Sequence, residues 1–422
     1  MEEYKETNDQ ILKKIPSKWA LTKLKYVSAL KTGGTPPDKF GISNEGDYPW
    51  ITAQDMNDKL EINNFSQFIS KEAINKCNYK LFPKDSVLLV CIASVGKLGI
   101  LNRYAYANQQ ITAIIPNYMI NPRYLLYYTD AYSEKISKDA ANNVVPIINS
   151  KYLNNLTICL PTKYEQNNIA DFLDKKVDKI DKILEDLNKQ IEILNNYKKS
   201  IITETVTKGL NKNVEYKDSK IEWIGIIPTN WKITYNKYIM KKIKNIKESY
   251  ENENILSLTT NGVIIRDKDY NSGKLPASYD GYQIVKKGNL LMCLFDIDVT
   301  PRCVGLIKNN GLTSPAYSQF ELINGNIANY YYYYYLMVDN TKELLHLAKN
   351  LRHSLTETDF GSIKTIQPPI EEQIEISNYL DKKCKKIDKT IQIKKKQIDK
   401  LENYKKSLIY EYVTGKKRVK EE

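Results

Sequence analysis

The chain has 422 residues, of which 42% are hydrophobic, and a formal net charge of +13. That length exceeds one ordinary domain, and that apolar content builds real cores, which excludes global disorder. No apolar run of about 18 residues occurs and the opening MEEYKETNDQILKKIPSKWA is charged, so neither a membrane span nor a signal peptide is expected and the chain is placed in the cytoplasm. The six cysteines form no CxxC pair and predict reduced thiols, without disulfides or a zinc site. His346 and His353 have nothing near them in sequence to complete a metal site. The positive charge suggests a polyanionic partner, but Asp381–Glu422 alone holds 15 Lys and Arg against 7 Asp and Glu, more than half of the excess.

In chain order, residues 15–160 predict a mixed α/β domain. SVLLVCIASVG (86–96) and ITAIIP (111–116) have the look of buried strands, and NPRYLLYYTDAYSEKI (121–136) that of a helix. KTGGTPPDK (31–39) lacks the GxxxxGK[ST] spacing of a nucleotide P-loop. Pro161 ends the last strand, and acidic residues follow in the first turn of a helix. Along it Leu173, Val177, Ile180, Leu184, Leu187, Ile191, Leu194, Lys198 and Ile201 step by four and three, the 3.5-residue spacing of a coiled-coil seam.

Residues 227–367 predict a second mixed α/β domain. NLLMCLFDIDV (289–299) predicts a strand, and NYYYYYYLMVDNTKELL (329–345) a single helix matching 121–136. The six tyrosines at 330–335 invite a base-stacking role, but helical phase turns only two or three of them one way, so core packing is the expectation. QPPI (367–370) lacks the polar first residue and aromatic fourth of an adenine-methyltransferase tetrad. A second seam follows at Leu380, Cys384, Ile387, Ile391, Lys394, Ile398, Leu401, Lys405 and Leu408.

The two seams are copies. Pro161–Thr207 aligns with Pro368–Thr414 without a gap at 25 of 47 positions, including KIDK at 179 and 386 and NYKKS at 196 and 403. YKETNDQILKKIPSKW from Tyr4 likewise matches YKDSKIEWIGIIPTNW from Tyr216. An amphipathic helix is marginal alone, and the nearest partner for each is its copy in the same chain. A rod over 169–206 would be roughly 57 Å long, about 17 base pairs of duplex.

YKDSKIEWIGIIPTNW (216–231), GGTPP (33–37), YPWITAQDM (48–56), VGKLGI (95–100), FDIDVTPRCVGL (295–306), PTKYEQNNIADFLD and PPIEEQIEISNYLD together resemble the specificity (S) subunit of type I restriction–modification enzymes, over essentially the whole chain. The resemblance implies an α/β fold class: two mixed α/β target recognition domains separated by two long helices in an intramolecular antiparallel coiled coil, a pseudo-twofold repeat. The domains would be 1–160 and 211–367, with helical segments at 161–210 and at 368–422, the latter including a basic tail. Each domain would read one half of a bipartite duplex DNA target. The coils would set the spacer and dock two methyltransferase (M) subunits, which methylate adenine with S-adenosylmethionine, and restriction or motor (R) subunits would join. The chain itself would bind no cofactor, metal or membrane and have no active site.

Candidate DNA contacts follow from side-chain chemistry and motif position. Gln54, Asn108, Gln109 and Gln110 offer amide donor–acceptor pairs suited to adenine edges, and Lys97 and Arg103 flank the same loop. Lys31 and Thr35 lie beside the paired glycines, and Arg266, Arg302, Ser318 and Gln319 occupy corresponding places in the second half. The longer, more acidic 293–319 segment predicts that the two half-sites differ. A competing reading is a coiled-coil scaffold that assembles protein partners without reading DNA.

Overall fold

The computed structural model describes residues 3–7, 12–35, 41–46, 48–56, 60–77, 79–141, 145–266, 278–348 and 353–419. It divides into two units, Met1–Leu187 with Lys396–Glu422, and Asn188–Lys395. Each unit therefore combines one globular part with the start of the long helix that follows it and the end of the other long helix.

In the first unit a five-stranded sheet runs in the order Ser28–Thr32, Ile111–Pro116, Val87–Val90, Leu98–Leu101, Glu61–Ile62. Its pairs are antiparallel except the last, which is parallel. Every residue of Val87–Val90 and Leu98–Leu101 is buried, which is why the segment 86–96 reads as a continuous apolar run. A four-stranded sheet contains Tyr106–Ala107, Tyr48–Ile51, Gln67–Ile69 and Ile42–Ser43. The helix Pro122–Ala140 starts cleanly because Asn121 Oδ1 accepts from the Arg123 and Tyr124 amides and proline occupies the first turn. It buries Tyr124, Leu125, Tyr128 and Tyr132 in the unit's largest apolar cluster.

The second unit repeats the plan with an antiparallel sheet in the order Met240–Ile243, Ser318–Leu322, Leu290–Met292, Val304–Leu306. The predicted strand over 289–299 shortens to Leu290–Met292, because the chain turns at Asp296, whose carbonyl accepts from the Val299 and Thr300 amides. The predicted single helix over 329–345 is broken into Ala328–Asn340 and Glu343–Leu347. Lys342 takes the left-handed conformation at φ 59°, and its ammonium is held by Asp339 and the Thr300 carbonyl. Five of the six consecutive tyrosines are buried and Tyr332 packs against the same cluster, so they form core and not a stacking platform.

The long helices are Lys163–Lys208 and Ile370–Val413. In each unit they pack antiparallel: Lys405 Nζ reaches Asp181 at 2.7 Å in the first, and Lys198 Nζ reaches both oxygens of Asp388 at 2.6 and 2.7 Å in the second. Among the described residues no helix is long and apolar enough to cross a membrane.

Candidate nucleic-acid interface

One edge of the first unit gathers most of the candidate DNA contacts. Strand Ser28–Thr32 delivers the paired glycines to strand ends from the rest of the domain: the Gly33 amide donates to Ile111 O (3.0 Å) and the Gly34 amide to Ala107 O (3.1 Å). A Cβ on Gly33 would lie 2.2 Å from the Asn108 carbonyl oxygen, and one on Gly34 would lie 2.6 Å from the Tyr79 ring. Only glycine lets the chain close here. The Asn108 amide donates to Ile51 O at 3.1 Å, which brings the turn after Tyr48–Ile51 to the same edge.

That turn is fixed by Asp55, which is only 8% exposed. Its Oδ2 accepts from the amide and hydroxyl of Thr52, both at 2.8 Å, and its Oδ1 from the amide and hydroxyl of Ser66 at 3.0 and 2.6 Å. With its neighbour locked, Gln54 is left exposed at the tip. Thr35 and Gln109 are also exposed, while Asn108 and Gln110 are half-buried and hold each other: Asn108 Nδ2 donates to Gln110 Oε1 and the Gln110 amide to Asn108 Oδ1, both at 3.1 Å. Lys31 is exposed on the edge strand opposite Ala113. Lys97 is exposed where the hairpin returns, its carbonyl accepting from the Val90 amide at 2.8 Å, next to Cys91, whose amide donates to Gln110 O. Arg103 lies elsewhere. The segment read as one loop contains the strand Leu98–Leu101, which separates Arg103 from Lys97 by about 13 Å.

The second unit corrects two candidates. Gln319 is 1% exposed and spent inside the fold. Its Oε1 accepts from the Lys286 amide and Asn289 Nδ2 at 2.8 and 3.1 Å, and its Nε2 donates to Ile284 O at 3.1 Å. It pairs with Leu291 as Thr112 pairs with Leu89, so it belongs to the strand and not to the loop before it. Arg302 also faces inward, its Nε 3.7 Å from Asp339 Oδ2, where the Cys303 amide also donates. Ser318 opens its strand half-buried, and Arg266 ends the Gly262–Ile265 hairpin strand with its amide on Ile255 O at 2.7 Å. Sequence reasoning missed Asp55 and the buried Gln283, whose Nε2 donates to Ser314 O and Tyr317 O at 2.8 and 2.7 Å. A buried carboxylate or amide shaping a loop has no periodic signature.

At the other end of each unit the helices sit in matching sockets. Tyr124 Oη donates to Val413 O at 3.0 Å, and Tyr330 Oη to Val206 O at 2.9 Å. Tyr127 Oη meets Asp174 at 2.6 Å, and Tyr333 Oη meets Asp381 at 2.7 Å. Trp19 Nε1 donates to Glu165 at 3.3 Å, and Trp231 Nε1 to Glu372 at 2.9 Å. Gln166 and Gln373 each accept a backbone amide, from Asn121 and Ile327, at 2.7 and 2.9 Å. In each pair of contacts the long-helix residues stand 207 positions apart, and their partners 206 apart, or 212 for the tryptophans.

Burial pushes the thiols of Cys91, Cys293 and Cys384 up and that of Cys303 to about 12, the reverse of an activated nucleophile. Among the described residues no group of three or more His, Cys, Asp or Glu is placed to hold a metal.

The family model for the type I restriction modification DNA specificity domain matches residues 16–193 and 303–403, well over half of the chain. The chain belongs to this family. Among specificity-subunit relatives, the putative type I restriction enzyme MjaX specificity subunit of Methanocaldococcus jannaschii is 28% identical over 99% of this chain and 98% of its own length. The MjaIX specificity subunit of the same organism is 31% identical over a shorter match, 46% of this chain and 44% of that protein. In fold, the chain is similar to one solved in a study of type I restriction–modification complex assembly, with a TM-score of 0.69 at 10% identity, covering 94% of this chain and 98% of the other. The matching sockets and the glycine-closed edge thus belong to a type I specificity-subunit fold.

Proposed function

We propose that this specificity subunit reads DNA with its two globular domains, 1–160 and 211–367, each taking one half of an asymmetric bipartite target. The helical segments 161–210 and 368–422 set the spacer and hold two methyltransferase subunits, which supply S-adenosylmethionine chemistry at adenine, and restriction or motor subunits join that assembly. The chain itself contributes recognition and no catalysis, and works in the cytoplasm. The observation that carries this reading is the contrast between sockets whose helix-holding groups repeat in both units and a polar edge that does not.

In the first domain Thr35, Gln54, Asn108, Gln109 and Gln110 face base edges, with Lys31 and Lys97 toward phosphate. Arg266 and Ser318 are the remaining candidates in the second. The scaffold alternative has no comparable support, because family membership speaks for DNA specificity. The test is an exchange of residues 15–160 for another recognition domain, followed by sequencing of methylated adenines. One half of the modified motif should change and the other persist; a change in both halves, or none, contradicts independent reading.

A further inference from the structure

The segment after each socket tryptophan keeps one exposed feature while the residues around it change. WALTKLKYVSALK (19–31) and WKITYNKYIMKKI (231–243) share the tryptophan, a threonine and the dipeptide Lys-Tyr at 25–26 and 237–238. The tryptophans are fully buried, but Tyr26 is 60% exposed and Tyr238 55%. Both lysines are exposed and lie over the ring of the tyrosine that follows, at 5.0 Å for Lys25 and 5.1 Å for Lys237. Matching asparagines hold both turns from below: Asn117 Nδ2 donates to Tyr26 O at 3.0 Å, and Asn324 Nδ2 to Tyr238 O at 3.2 Å. Each ring keeps more than half of its surface in water under the cation of the preceding lysine, and this exposed pair recurs 212 positions on while its neighbours change.

Its position argues against DNA. Strand Ser28–Thr32 runs from the Tyr26 turn to Gly33, and strand Ile111–Pro116 runs from Gln110 back to Asn117. The Lys–Tyr feature therefore lies at the opposite end of the sheet from the candidate reading edge, about 17 Å away for a five-residue strand. The second unit has the same order, with Met240–Ile243 and Ser318–Leu322 between the Tyr238 turn and the far loops.

We propose that Lys25–Tyr26 and Lys237–Tyr238 are two copies of one protein-docking surface, each taken by a methyltransferase subunit that presents acidic groups to the lysine and a flat apolar group to the ring. This rests on the proposed function, which holds that subunit twice. Partly desolvated cation–aromatic contacts with an acidic partner suit such a surface.

The experiment titrates full-length chain with its purified methyltransferase subunit, counts bound subunits by native mass spectrometry, and measures duplex binding of the free chain in parallel. Lys25→Glu with Tyr26→Ala should leave one subunit bound at the original affinity and weaken the second at least tenfold; adding Lys237→Glu with Tyr238→Ala should weaken both. Lys25→Gln with Lys237→Gln keeps the rings and should weaken both by a smaller factor, with unchanged circular-dichroism melting. Two subunits bound by every variant at the original affinity would overturn the proposal. So would variants that retain both subunits but lose duplex binding, which would make the surface a DNA contact. Failure of the unaltered chain to take up any methyltransferase subunit would overturn the underlying reading together with it.

Discussion

At Tyr127 and Tyr333 the two units make the same contact, a phenol hydroxyl on Asp174 and on Asp381; three residues on, Asp130 stands where the other unit has the buried Leu336. One turn earlier, Arg123 grips Asp174 with two nitrogens, while Asn329 meets Asp381 through a single bond at 2.8 Å. The sockets share the groups that hold a helix end and differ in what surrounds them. Toward the far edges the likeness ends: at one matching strand position Thr112 meets the Thr32 hydroxyl, whereas Gln319 holds the Lys286 amide and the Ile284 carbonyl. A surface that receives a repeated helix must stay complementary to it, whereas a loop facing a variable ligand answers to nothing inside the chain.

Breaking one socket should show how far this equivalence goes. Trp231→Ala empties a fully buried site against Gly209 and the second long helix and should cost about 3–5 kcal/mol, with Trp19→Ala matching it in the first unit. Hydrogen exchange read by mass spectrometry separates the units, and protection lost in only one of the two variants would refute equal sockets.

Asp130 makes the first unit respond to pH where the second, with Leu336 in its place, has no such group. Burial, aided by Asp181 and Glu134 and opposed by Lys405 and Lys406, raises its carboxyl from 3.8 to about 6. The native state then holds this proton more tightly than the unfolded chain does, so its contribution falls as pH rises between about 4 and 6. Asp130→Asn should stabilise the first unit by about 1–3 kcal/mol at pH 7 and by little at pH 4, as measured by urea unfolding at both pH values. Equal effects at the two pH values would reject the assignment.

Smaller effects test individual contacts. Tyr330→Phe leaves the buried Val206 carbonyl without its phenol donor and should cost about 1–2 kcal/mol. Tyr124→Phe should cost somewhat more, because that hydroxyl also serves Cys159 O. Least costly are the seam lysines. Lys198→Met and Lys405→Met should each lose about 0.2–1 kcal/mol, since the pairs are only partly shielded, and the loss should shrink in 1 M salt. A salt-independent loss would indicate that the aliphatic stems and not the charges matter.

The amino-acid sequence alone determined the repeat, both long helices and their seam phase, because a 3.5-residue apolar period and a gapless copy are local properties of the text. It also determined that the tyrosine run is core, since helical phase spreads such a run around the axis. Tertiary structure alone decided the rest. Of the three lysines that interrupt the seams, Lys198 and Lys405 donate to reciprocal ion pairs, NYKKS of one copy to KIDK of the other, and Lys394 donates to Gln190. Gln319 became internal, Arg302 turned half-buried toward Asp339 and Arg103 moved away from Lys97, while Asp55 emerged as the residue that aims Gln54. Each of these depends on which helices, strands and turns become neighbours, and an element's edge, partner and register are not written in its own residues.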